Sequence, residues 1–347
     1  PEMLFNYETD NLVTGRTNNP WDLERTPGGS SGGESAAIAA LCSAGGIGSD
    51  GGGSIRIPAH CCGIAGLKPT PGRVSAAGHF PQIGHPGGLL GVAGPMARTA
   101  KDVRLLFAAL AGYDSQDPFS APVPLRVPET SGLRVGMMEQ FYGVPVQRAV
   151  RDALHKAAKA LAETGIAVEA FEPDGLERAP NVWWFFFGRV PSETLKRMIA
   201  GQQSRVHWTL TEFLEKALSE GPPAFDDVLT NLAARDRMRA ALLRQMEDVR
   251  VLLLPACGVP AWRHRERKWE TPGKAISQFE AMMPVTIFNL LGLPAAVIPF
   301  GFTDDGIPVG IQLVGRPYEE EWVLEVAVRL EEARGPFPSP PMVAAGL

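Results

Sequence analysis

The chain has 347 residues, with 33 Lys and Arg against 38 Asp and Glu, a formal net charge of −5, and 45% hydrophobic residues. That length can bury a sizeable core in one large α/β domain, and a mildly acidic balance without like-charged blocks argues against a nucleic-acid-binding surface. Four cysteines without C-x-x-C spacing exclude a disulfide framework and read as a reduced, cytoplasmic protein, and no apolar run approaches the roughly 18 residues that a bilayer span needs.

The sequence begins at Pro1 without an initiator methionine and enters structured-looking sequence at once, which reads as a piece of a longer chain. Residues 27–95 are dense in glycine and proline and are expected to be close-packed and loop-like. Within them, Ser31-Gly32-Gly33-Glu34 fits a capping box before a small apolar helix over 36–42 that breaks at Gly45-Gly46. Thr99 to Asp102 open a second capped helix that ends near Gly112, and a proline-rich connection follows over 117–128. A strand at 133–138, a helix with Val150, Leu154, Ala157 and Leu161 on one face, and a strand at 166–171 give a β-α-β rhythm. Residues 180–247 read as a helical variable or cap region. Strand-length apolar runs at 251–254, 295–300 and 309–314 and an amphipathic helix over 319–333 close the chain. The sum is a single α/β domain over 1–347, a mixed central sheet with helices on both faces.

Two glycine clusters carry serines 24 residues apart: Gly28-Gly29-Ser30-Ser31-Gly32-Gly33 and Gly51-Gly52-Gly53-Ser54. Such segments let the backbone approach a substrate and let successive N–H groups converge on a developing anion; the plainer reading is that the glycines only permit tight helix–sheet packing. Gly46-Ile47-Gly48-Ser49-Asp50-Gly51 matches a dinucleotide fingerprint, but Pro58 follows closely and no Asp or Glu lies between Gly51 and Lys101 to hold a ribose. Gly29-Ser30-Ser31-Gly32-Gly33 satisfies G-x-S-x-G with Ser31 as nucleophile, but the preceding segment is polar and proline-broken, and His155, His207 and His264 sit in ordinary contexts. A third reading uses both Ser30 and Ser54, with a neutral lysine as base.

At this point the sequence resembles the amidase signature family. The match is carried by Gly15-Arg16-Thr17-Asn18-Asn19-Pro20-Trp21-Asp22, by residues 26–34 and by Gly48-Ser49-Asp50-Gly51-Gly52-Gly53-Ser54-Ile55-Arg56-Ile57-Pro58-Ala59. It returns at Asn289-Leu290-Leu291-Gly292-Leu293-Pro294 and at residues 305–312. The resemblance implies that Ser54 is the acyl-forming nucleophile and that Ser30, after a cis peptide bond, bridges it to a lysine base. It further implies that the amides of Gly51, Gly52, Gly53 and Ser54 form the oxyanion hole, with Ser31, Asp50 and Arg56 supporting the loop. The implied activity is hydrolysis of a small-molecule carboxylic amide, ester or carbamate, with no metal or organic cofactor, no nucleic acid or membrane partner, and a homodimer left open.

One departure stands out. The family's lysine precedes the bridging serine by several tens of residues, and no lysine here precedes Lys68. The expectations are therefore an amidase whose base is missing from this sequence, an inactive scaffold of the same fold, or the amidase subunit of an amidotransferase. Trp183 to Phe187 are expected either to shape a substrate pocket or to be core, and His60, Cys61 and Cys62 are read as packing residues rather than metal ligands.

Overall fold

The computed structural model describes residues 1–85 and 88–344. Among them the chain forms ten strands: β1 (Gly45–Asp50), β2 (Ala65–Lys68), β3 (Val92–Ala97), β4 (Arg134–Met137), β5 (Ala167–Ala170), β6 (Val251–Pro255), β7 (Lys268–Thr271), β8 (Lys274–Ser277), β9 (Ala295–Phe302) and β10 (Pro308–Gly315). β7 and β8 make a separate hairpin, and the other eight make one sheet in the order β1-β3-β2-β9-β10-β6-β4-β5. It is antiparallel from β1 to β6 and parallel from β6 to β5.

Period-two alternation assigns the two faces. Val251 and Leu253 of β6 join one core cluster, and Leu252 and Leu254 join the other. The first cluster packs beneath α3 (Ala100–Leu110), α4 (Arg148–Glu163) and α10 (Glu320–Arg334), and α4 turns Val150, Leu154, Ala157 and Leu161 to it as its spacing predicts. The second packs beneath α5 (Ala179–Trp184), α8 (Phe225–Gln245) and α9 (Gln278–Leu290). On β10, Val309, Ile311 and Leu313 face the first cluster, which turns Gln312 to the opposite face. No helix among the described residues is long and apolar enough to cross a membrane.

The region expected to be loop-like around one small helix holds that helix, α1 (Gly32–Ala39), but also a second, α2 (Arg56–Cys62), and three of the eight strands, the last of which, β3, runs just past it. Glycine hides β1 from propensity reasoning because neighbours fill the volume its side chains would need. A Cβ on Gly46 would lie 1.9 Å from Glu34 Oε1, and one on Gly48 would lie 2.8 Å from Met96 Sδ and Ser31 Oγ. The capping box before α1 does not form, since Ser31 makes no side-chain cap. α9 has the box that α1 lacks, with Ser277 Oγ accepting from the Glu280 amide, but Pro284 in mid-helix masks its sequence signal.

Between α5 and α6 (Val190–Met198) the backbone makes a π turn over Phe185–Arg189. Pro191 has no N–H to offer the preceding turn, a standard reason for a helix to widen. The turn splits the aromatic run. Phe185, Phe186 and Trp183 are all buried in the second core cluster, and Trp183 also stacks on the half-buried Phe187 with centroids 4.7 Å apart.

Candidate active site

The two serine clusters are stitched together by the residue between them. The Ser31 amide donates to Ser54 O at 3.0 Å, and Ser31 Oγ donates to Ser49 O at 3.3 Å and accepts from the Ser49 amide at 3.2 Å. Ser31 is thereby a brace between the loop before α1 and the end of β1. The Gly29–Ser30 peptide is cis, as the resemblance implies. Ser30 and Ser54 line one cleft of about 710 Å³, and neither hydroxyl is hydrogen-bonded by another described residue.

A buried ion pair fixes the second cluster. Asp50 Oδ1 accepts from the Gly53 amide at 2.7 Å and Oδ2 from the Ile55 amide at 3.1 Å, while Arg56 Nη2 and Nε each reach the carboxylate at 3.0 Å. Both side chains are fully buried. Arg56 has its remaining donors satisfied by Gln312 Oε1 at 2.6 Å, Asn289 Oδ1 at 2.5 Å and Val285 O at 2.9 Å, and Asn289 Nδ2 donates back to Asp50 Oδ1 at 2.9 Å. Burial alone would raise the Asp50 pKa, but the charge and hydrogen bonds of Arg56 prevail and hold it at about 2. Asn289 and Gln312 are the residues that sequence reasoning missed. Both lie in the motifs that carried the resemblance, but nothing local shows that the face of α9 and the inward position on β10 meet at one guanidinium.

The same bonds refine the expected oxyanion hole. The Gly53 N–H is spent on Asp50, whereas the amides of Gly51, Gly52 and Ser54 carry no hydrogen bond among the described residues. Gly53 has φ +107°, and a Cβ there would meet Val285 Cγ2 at 2.6 Å, so only glycine fits. The two carbonyls before it are held from outside the loop. Trp183 Nε1 donates to Gly51 O at 3.1 Å, and Tyr7 Oη donates to Gly52 O at 2.6 Å.

A second cavity, of about 330 Å³, also reaches Ser54 and shares Leu4, Phe5 and Phe187 with the first. Its aromatic walls are Phe5, Trp183, Trp184, Phe187, Phe213 and Phe279, with Glu212, Lys216 and Arg267 adding charge to the lining, so part of the aromatic run does line a pocket. Lys216 Nζ lies 4.6 Å from the Trp184 ring centroid.

The two rejected readings have no support in the geometry. The dinucleotide-like glycines lie within and just after β1 instead of opening a helix. None of His155, His207 and His264 bonds Ser31; they face Glu139, Thr209 with Asp10, and Glu8. His60 is engaged by Gly310 and Val259 backbone groups, and Cys61 and Cys62 are buried in packing clusters.

A family model described as Amidase matches residues 1–324. The chain belongs to the amidase signature family. A glutamyl-tRNA(Gln) amidotransferase subunit of Coxiella burnetii (strain Dugway 5J108-111) is 31% identical over 360 residues, covering 95% of this chain and 72% of that protein. The solved structure of 6-aminohexanoate cyclic dimer hydrolase complexed with substrate superposes with a TM-score of 0.84 at 28% identity, over 99% of this chain and 76% of that one. A bacterial aryl acylamidase of the amidase signature enzymes gives 0.83 at 25% identity, over 99% and 73%. Membership makes this chain an amidohydrolase acting on C–N bonds.

The first lysine of this amidase-signature chain is not bonded to either serine. Lys68 Nζ donates to Pro69 O at 2.9 Å, in full burial. Burial, with the Arg56 charge, lowers its pKa to about 7 against the pull of Asp50 and Glu320. From pH 7 to about 10.5 the unfolded chain therefore binds a proton at this residue that the folded chain does not, so stability rises with pH across that window. Lys68→Met is expected to remove that rise, on the order of a few kcal/mol. Denaturant melts at pH 6.5 and 9.5 check it: a wild-type difference that persists in the variant would place its source elsewhere.

Proposed function

We propose that the protein hydrolyses a carboxylic amide, or a related ester or carbamate, through an acyl-enzyme on Ser54. The observation that carries this reading is the junction at Ser54. A hydroxyl facing the cleft adjoins three unspent amides, those of Gly51, Gly52 and Ser54, on a loop pinned by the buried Asp50–Arg56 pair.

In this mechanism Ser54 Oγ attacks the carbonyl carbon while its proton passes through Ser30 to a base. The tetrahedral oxyanion is stabilised by the free amides, each worth about a hundredfold or more in rate. Collapse breaks the C–N bond, and the amine leaves with a proton returned through Ser30; water then cleaves the Ser54 ester. The base that the family resemblance assigns is a neutral lysine ahead of Ser30, a residue this sequence does not carry. The aromatic cavity beside Ser54 favours an aryl or bulky apolar group on the substrate.

A second reading, an amidotransferase component that passes the released ammonia to a partner chain, is favoured by the names of the 31% identical relatives. Hydroxylamine capture separates the readings. With benzanilide as substrate, an acyl-enzyme gives benzohydroxamate plus aniline; capture from a small polar carboxamide alone would favour the amidotransferase, and no hydroxamate from either would leave a scaffold.

A further inference from the structure

Oxyanion loops depend on peptide orientation, and here two peptide planes in a row are held by side chains from distant parts of the sequence. In a trans peptide the C=O of one residue and the N–H of the next point in opposite directions. A donor placed on the carbonyl thereby aims the following N–H away from itself. The Trp183 indole on Gly51 O fixes the Gly51–Gly52 plane and aims the unspent Gly52 N–H. The Tyr7 hydroxyl on Gly52 O fixes the Gly52–Gly53 plane from one side, and Asp50 holds its N–H from the other.

Glycine is the residue most costly to order, so a Gly-Gly-Gly segment without these ties would sample many orientations. The loop also needs its glycines for the ties to reach: a Cβ on Gly52 would lie 2.5 Å from Trp183 Cζ2, and one on Gly51 would lie 3.0 Å from Phe187 Cε2. Phe187 stacks on Trp183 at 17° and locks the indole in place. Burial and nearby Asp50 push the Tyr7 phenol up, which keeps the hydroxyl a donor at working pH.

We propose that Trp183 and Tyr7 are positioning residues for the oxyanion donors of this site, Trp183 by aiming the unspent Gly52 N–H and Tyr7 by fixing the next peptide plane, whose own N–H is taken by Asp50, and with it the Gly52 dihedrals that join the two planes; Trp183, which also walls the aromatic cavity, couples filling of that cavity to transition-state stabilisation. The inference rests on the Ser54 acyl-enzyme reading. A purely structural role would lower stability without changing the preference for a tetrahedral adduct over a planar ligand.

The test compares Tyr7→Phe and Trp183→Phe with wild type on p-nitrophenyl benzoate, with inhibition by trifluoroacetophenone, which adds to a serine hydroxyl, and by planar acetophenone. Both variants should lose about tenfold or more in kcat. The ratio of the trifluoroacetophenone to the acetophenone inhibition constant should rise by a similar factor, and for Tyr7→Phe KM should stay within threefold. The ratio corrects for the smaller ring of Trp183→Phe. If wild type forms a benzoyl adduct at Ser54 yet both variants keep kcat and the ratio within twofold, this inference falls and the reading of Ser54 stands. If wild type forms no adduct at Ser54, the reading itself falls and takes the inference with it.

Discussion

Ser54→Ala is expected to lower turnover of an aryl amide by at least a thousandfold and to abolish acyl transfer to hydroxylamine. In the proposed mechanism this change removes the covalent route entirely, and what remains is the contribution of binding and of the amides of Gly51, Gly52 and residue 54, which the substitution keeps. In the proposed mechanism Ser30 acts only through Ser54, so adding Ser30→Ala should cost almost nothing further. Groups that work as one unit are strongly non-additive. Steady-state kinetics on the two single variants and the double variant decides this; additive losses would mean that the serines serve separate steps. The variant should keep the wild-type Tm, since Ser54 Oγ bonds no other described residue.

The second large effect concerns stability. Asp50→Asn leaves the Arg56 guanidinium fully buried with no counter-charge, a change that typically costs about 3–5 kcal/mol. Wild-type Asp50 has its folded pKa depressed to about 2 from 3.8, so its contribution is complete above about pH 4 and is lost as pH falls through 2. The variant should therefore melt earlier at pH 7 and show a flatter acid limb between pH 4 and 2. Removing both charges with Asp50→Asn and Arg56→Met should cost less than the sum of the two single changes. Activity should fall with each, because the carboxylate also holds the Gly53 and Ile55 amides. Melts that leave the Asp50→Asn variant within 1 kcal/mol of wild type would contradict the account of the loop.

Long periodic elements were legible in the sequence, and glycine-built ones were not. α4 and the strand pair around it follow from spacing alone, because each side chain that faces the core is apolar. β1 does not, because its side chains are replaced by Leu106, Glu34 and Met96 reaching in from other elements, and no local pattern records that. The site divides in the same way. Ser30, Ser54, Asp50 and Arg56 stand in the motifs that carry the family resemblance, so they could be singled out before their geometry was known. That the Gly53 amide is taken by Asp50 depends on one side-chain rotamer. That Tyr7 and Trp183 reach adjacent carbonyls depends on contacts 45 and 132 residues apart. Asn289 and Gln312 were visible as motif letters, and only the crossing of α9 over β10 gives them a shared partner.

The most direct measurement is the site of covalent labelling by a fluorophosphonate, read by mass spectrometry of the digested protein. The account predicts a single adduct on the peptide that contains Ser54, absent in Ser54→Ala. An adduct at Ser31, or a label on the folded protein that survives Ser54→Ala, would contradict it.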